Sequence, residues 1–144
     1  MKRLSRLLGL SSEERRLLIK SALLLGVIRA AMWLLPFQTL CRLAGKDRPD
    51  AAGLKADQDS IKRVARAVTR AARYVPSTCL SQALATMVLL RRIGQPACLR
   101  IGVSKGEKGD FKAHAWVESE GSIVIGNMAD LSHFSVLPPL EGKL

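Results

Sequence analysis

Apolar residues recur along this chain in two rhythms, three or four positions apart in its earlier part and at every second position near its end. Residues 2–10 form a short basic amphipathic piece. Ser11-Ser12-Glu13-Glu14 follows as a capping-box pattern, with Ser11 three residues before Glu14. A long helix is predicted from there to about Leu35, where Pro36 ends or kinks it. Its second half is apolar on nearly every side, which implies burial on several faces or contact with lipid or a partner protein. A further short helix is expected over 37–45, ending at Gly45. Residues 46–57 carry the Pro, Gly and Asp content of a surface connection. From Ser60 to Arg73, Ile61, Val64, Ala65, Val68 and Ala71 form an apolar stripe, and Lys62, Arg63, Arg66, Arg70 and Arg73 lie largely off it.

A second well-marked helix begins at Ser77-Thr78-Cys79, where Ser77 or Thr78 can accept a hydrogen bond from an unpaired backbone N–H. Leu80, Ala83, Leu84, Met87 and Val88 follow at helical spacing. Arg91 and Arg92 suit the negative end of the dipole, and Gly94 with Pro96 stops the helix. The period then changes to two. Ala97, Leu99, Ile101 and Val103 share one face of a strand, residues 113–118 alternate as a second, and Ser122 to Gly126 make a third after a Glu120-Gly121 turn. Helices first and an antiparallel strand group afterwards make the class α+β. Residues 1–45 form an N-terminal helical region, 46–57 the linker and 58–144 the core in this reading.

Length and composition narrow this picture. A chain of 144 residues suits one domain with a sizeable core, and 48% hydrophobic residues argue against disorder. The formal charge of +11 asks for an acidic peptide or protein, an anionic membrane surface or nucleic acid. For nucleic acid the signal is weak, since the basic helix lacks interleaved aromatics and any recognisable binding motif. Cys41, Cys79 and Cys98 are odd in number, far apart and without C-x-x-C spacing, so neither a disulfide framework nor a metal site is expected, and a reducing cytosol fits. Arg29 divides the apolar run from Ser21 to Phe37, whereas a transmembrane helix wants about 20 apolar residues. The expectation is a soluble cytoplasmic protein, with membrane contact through the first long helix as the alternative.

Cys79 draws the chemistry. At a helix N-terminus, about half a positive charge and unpaired N–H groups favour thiolate over thiol. The bland alternative is an inert buried thiol. Nucleophilic catalysis by cysteine also needs a base, and a group that holds the base. Of His114 and His133, His114 sits in a strand and shares its face with Trp116 and Glu118, while His133 falls in a loop, so His114 is the candidate base. If Glu120-Gly121 is a two-residue turn, Ser119 faces Ser122 and the register sets Asn127 opposite His114. A three-residue loop would set Gly126 there, which has no side chain to offer. Asn127 is therefore the first candidate for the orienting group and Asp130 the second. The Cys79 backbone N–H is the natural oxyanion donor, and Gln82 a possible side-chain donor beside it.

A helix bearing Cys79, then a strand, then a strand carrying His114-Ala115-Trp116-Val117 resembles the transglutaminase-like cysteine protease superfamily. More closely, the chain is similar to the leader peptidases of lasso peptide biosynthesis. The residues concerned are Pro76 to Leu84, Leu89 to Gly94, Leu99 to Val103, Ala113 to Glu118 and the apolar Trp33-Leu34-Leu35-Pro36-Phe37. The resemblance implies a cysteine-bearing helix packed on a small antiparallel sheet, without a cofactor. It implies cleavage of a ribosomally made precursor between leader and core, with Cys79 as nucleophile and His114 as base and then acid. Many such enzymes carry an aspartate after the histidine strand, where this chain has Gly126 and Asn127, with Asp130 later. Some carry a leader-binding winged-helix domain at the N-terminus. None is expected here, so a separate recognition protein is implied, with an asparagine-synthetase-like cyclase as a further partner. The basic helix, through Arg63, Arg66 and Arg70, and the apolar N-terminal helix are the candidate docking surfaces. Two other classes remain open: a non-catalytic adaptor that binds the precursor or the cyclase, and a basic membrane- or nucleic-acid-binding module.

Overall fold

A computed structural model describes residues 2–44 and 57–138. Helix α1 spans Lys2–Leu8 and α2 spans Ser12–Leu34, entered through a capping box in which Ser11 Oγ accepts from Glu14 N–H and Glu14 Oε2 accepts from Ser11 N–H. Arg15 reaches back to the carbonyls of Leu8 and Leu10, at 3.5 and 3.4 Å, and so ties the α1–α2 corner. Pro36 ends α2, and α3 follows over Phe37–Ala44. The expected linker at 46–57 lies outside the described residues except for Asp57. That residue caps α4 (Gln58–Ala71) by accepting from Ser60 N–H at 3.0 Å. Ile61, Val64, Ala67, Val68 and Ala71 are its buried face, so Ala67 takes the place that the stripe had given to Ala65.

Helix α5 (Cys79–Arg92) is capped by Thr78, which accepts from Ser81 N–H while Ser81 Oγ accepts from Thr78 N–H. Nearly all of its sides are covered, with Ala83, Leu84, Ala85, Met87, Leu89 and Leu90 in the core. The polar residues it buries are satisfied locally, as where Thr86 Oγ1 donates to the Gln82 carbonyl at 2.8 Å. Strands β1 (Cys98–Lys105), β2 (Phe111–Ser119), β3 (Ser122–Ile125) and the short β4 (Ser135–Val136) form an antiparallel sheet of order β3-β2-β1-β4. The α+β class and the cysteine helix packed on a small antiparallel sheet stand as expected.

One core joins these parts. Leu18, Leu25 and Ile28 of α2 pack on α4 and α5, and Ala115 and Val117 of β2 belong to the same cluster. Burial on several faces of α2, one expectation from its composition, does not occur. Leu18, Ser21, Leu25 and Ile28 make a single stripe, while Ile19, Leu23, Val27, Trp33 and Leu34 stay exposed. By length and composition α2 could cross a membrane, with mean hydropathy 1.8 over its most apolar window.

Because side chains alternate along a strand, the core contacts of Ala115 and Val117 put His114, Trp116 and Glu118 on the opposite face of the sheet. The β2–β3 turn matches expectation at its tip. Glu120 and Gly121 both have positive φ, 50° and 79°, as a two-residue hairpin turn requires, and Ser119 pairs with Ser122. A bulge at Val117/Glu118 then shifts the register, so that Val117 pairs with Ile125, and the pairing ends there. The register that set Asn127 opposite His114 is therefore not the one adopted.

Candidate active site

Two ends of the fold are brought level by a buried polar clamp. Gln95 Nε2 donates to Ser119 Oγ at 2.8 Å, and Ser119 Oγ donates to the Pro96 carbonyl at 2.6 Å. The end of α5 is thus fixed beside the end of β2. From Cys79 to Arg92 the helix rises about 20 Å at ~1.5 Å per residue. From Ser119 back to His114 the strand runs about 17 Å at ~3.3 Å per residue. Cys79 thus opens the helix whose far end is clamped to β2, and His114 lies five residues back along that strand from the clamp. Beyond Val117 the β2–β3 ladder stops, and Gly126 lies instead against the Ala115 carbonyl and Trp116.

At the tip of α5, Cys79 is half-buried against the core. Among the described residues no acceptor takes the N–H of Cys79 or Leu80, the first two of the helix. These are the donors an anionic oxygen would need. Gln82 points its amide elsewhere: its Nε2 donates to Ser77 Oγ at 3.3 Å, bracing the loop that enters the helix.

His114 is held from three sides. Its Nε2 lies 2.7 Å from the Gly126 carbonyl oxygen. A carbonyl only accepts, so Nε2 carries the proton and Nδ1 keeps its lone pair in the neutral ring. Trp116 stacks beside the imidazole at 6.2 Å between centroids, and Phe134 closes a second side at 6.0 Å. Trp116 is itself fixed, since Nε1 donates to Glu118 Oε1 at 3.0 Å and Arg100 Nε donates to Glu118 Oε2 at 3.2 Å. Two glycines make room for this. A side chain at Gly102, the β1 partner of His114, would meet the Trp116 ring and Phe134 at 3.0 Å. Gly126 has φ of +88°, and a Cβ there would meet the Ala115 carbonyl and Trp116 Cβ at 2.8 Å.

The remaining candidates lie further off. Asn127 is exposed, and among the described residues its side chain makes no hydrogen bond, so the group that orients His114 here is the Gly126 carbonyl. Asp130 is exposed at the start of the 3-10 turn Leu131–His133 and makes no side-chain cap. His133 is exposed in that turn. Among the described residues no hydrogen bond joins Cys79 Sγ to the His114 ring. Arg63, Arg66 and Arg70 are exposed on α4, beside α2. Neither Phe134 nor the Gly126 carbonyl had been singled out from the sequence as a contact of His114.

A family model described as the transglutaminase-like superfamily matches residues 22–138. The chain belongs to the transglutaminase-like superfamily. The match runs from α2 through α5, with Cys79 at its tip, to the strand that bears His114 and the segment that holds it. No curated protein and no solved structure gives a match. Transglutaminase-like domains are often cysteine peptidases, and in this chain the thiol stands at a helix tip and the imidazole on a strand.

Proposed function

We propose that this chain is a cysteine peptidase that removes the leader from a ribosomally synthesised lasso precursor, acting with a separate leader-recognition protein. The observation that carries the reading is the 2.7 Å bond between His114 Nε2 and the Gly126 carbonyl. It sets the tautomer whose Nδ1 can take a proton, on a ring walled by Trp116 and Phe134. In the proposed reaction, Cys79 Sγ attacks the scissile carbonyl as its proton passes to His114 Nδ1. The tetrahedral oxyanion accepts from the N–H groups of Cys79 and Leu80. The imidazolium then protonates the leaving amine as the C–N bond breaks. Water, deprotonated by the same ring, hydrolyses the thioester and frees Cys79. The backbone carbonyl does for the imidazole part of what Asn127 or Asp130 would do, namely fix its tautomer and direction.

The leader specificity, the recognition protein and an asparagine-synthetase-like cyclase as the next enzyme rest on the sequence resemblance. The reaction is assigned to the cytoplasm, with α2 free to touch a membrane through its exposed apolar side. Two observations favour a second reading, a transglutaminase-like adaptor that binds the precursor or the cyclase without cutting: thiol and imidazole are not hydrogen-bonded to each other, and His114 stands on the face of the sheet opposite α5. Catalytic hydrogen bonds often tighten only around substrate, so the peptidase reading is retained.

The test is leader release, followed by mass, from precursor incubated with this chain and the recognition protein. Cys79→Ala is expected to abolish release and His114→Ala to slow it about a thousandfold, within the usual range for losing a general base. Release that survives Cys79→Ala would rule out Cys79 as the nucleophile, and no release with the wild-type chain would favour the adaptor.

A further inference from the structure

Away from the thiol, a cleft of about 750 Å³ opens between α1, α2 and α4, lined by Arg6, Leu7, Leu10, Leu18, Arg70, Arg73 and Tyr74. That volume is within the range of sites that hold ligands. The cleft continues along the α2–α4 seam past Leu17, Ala67, Arg66 and Arg63, sharing Leu18 and Arg70 with its first part. Its floor is apolar and its walls are arginine. Among the described residues, Arg6, Arg70 and Arg73 have no carboxylate within ion-pair distance. Of the carboxylates, Glu14 lines the seam itself beside Leu17 and Arg63, Glu13 lies beyond it, and both are engaged. Glu13 pairs with Arg63 at 3.9 Å, and Glu14 closes the α2 capping box.

The charges form a line. Arg63, Arg66, Arg70 and Arg73 succeed one another at about one per turn, near 5 Å of rise apart. An acidic peptide offers that spacing, either as glutamates one helical turn apart or as alternate residues of an extended chain at about 6.6 Å. A nucleic acid strand carries a charge every ~3.4 Å and has little use for a leucine floor. A flat lipid surface does not fill a concave seam.

We infer that this cleft binds an acidic peptide segment with spaced apolar side chains, the apolar groups on Leu7, Leu10 and Leu18 and the carboxylates on Arg6, Arg70 and Arg73. That the segment belongs to the precursor leader rests on the peptidase reading. The binding itself does not.

The experiment measures fluorescence anisotropy of the full chain with three labelled peptides, one of glutamate and leucine at helical spacing, one of lysine and leucine, and one of glutamate and serine. The glutamate–leucine peptide is expected to bind, the lysine–leucine peptide not to bind, and the glutamate–serine peptide to bind at least about tenfold more weakly. The double substitution Arg70→Glu with Arg73→Glu should weaken the first peptide at least about tenfold, and Arg70→Gln with Arg73→Gln less. Both arginines are exposed, and an unchanged far-UV spectrum and melting point would show that the fold is intact. Equal binding of the lysine–leucine peptide, or an affinity within about twofold in both double variants, would overturn the inference. So would phosphatidylglycerol vesicles that bind through these arginines while the peptide does not. Since no bond is cut in this assay, a failed cleavage experiment leaves it standing. Conversely, precursor cleavage with unchanged KM in the double variant would remove the cleft as the leader's site and spare the peptidase.

Discussion

The sheet has two faces built on different terms. Toward α5, Ala115 and Val117 with Leu99 and Ile101 join a closed apolar core, where the gain comes from area removed from water and any residue of the right volume serves. On the other face a chain of directional contacts runs from the Gly126 carbonyl to His114, across the stacked ring of Trp116, to Glu118 and Arg100. The Arg100–Glu118 pair is partly exposed and adds little stability on its own. Its value lies in fixing the indole, and through it the side of the imidazole. The lesson is that stability and orientation are carried by alternate residues of one strand, His114-Ala115-Trp116-Val117-Glu118, so the two can be perturbed separately.

The largest expected effect falls on the core face. Leu84 is 1% exposed on α5, and Leu84→Ala should cost about 2–5 kcal/mol of unfolding free energy, the range for leucine truncation in a packed core. Chemical denaturation checks it. Leader release per folded molecule should stay near wild type. If the His114 face loses its function along with the core, the two faces are one cooperative unit.

Gly126→Ala is the complementary experiment. A Cβ at φ +88° would meet the Ala115 carbonyl and Trp116 at 2.8 Å, so residue 126 must move off β2 and take its carbonyl from His114 Nε2. Gly126 acts as a positioning residue through its backbone, and kcat should drop about tenfold to a hundredfold with KM nearly unchanged. Nitrogen NMR of the imidazole supplies a readout that packing alone would not move. The wild-type ring should be the Nε2–H tautomer, and the variant should lose that preference. A variant that keeps the tautomer and the rate would show that the carbonyl contact orients nothing.

How much of this could be read from the chain depends on what writes each feature. Caps and element boundaries are local: Ser11 with Glu14, Thr78 before Cys79, and Pro36 after α2 each act within a few residues. The candidate base could be read because alternation along residues 113–118 sets His114 beside Trp116. The orienting group could not. The bulge at Val117/Glu118 leaves no trace in a hydrophobic pattern, and a one-residue shift changes every pairing beyond it. A backbone carbonyl has no letter of its own, so Gly126 was set aside for lacking a side chain although its lack of one is what lets the carbonyl reach the ring. The arginine cleft was half visible. The basic side of α4 stands out in the sequence, but Arg6 and Leu7 join it through the α1–α2 corner, where Arg15 bonds the Leu8 and Leu10 carbonyls and Leu7 and Leu10 pack on the core.

The smallest expected effect lies on neither face and serves as their baseline. Asp57 caps α4, and its carboxyl is held below the usual range by the Ser60 hydroxyl and backbone N–H first, with Arg63 adding a smaller pull. A depressed folded-state pKa means that the unfolded chain binds the proton more readily. The cap's contribution is therefore complete above the ordinary carboxylate value and is lost as pH falls through the folded value. Because the group is fully exposed, the change should be a slight fall in melting temperature below about pH 4. Asp57→Asn should remove most of that slope while keeping the cap, since asparagine also accepts from the N3 N–H. Thermal melts of the two proteins across acid pH would check it. Should the slope persist in Asp57→Asn, the acid-sensitive contact must be sought elsewhere than at the α4 cap.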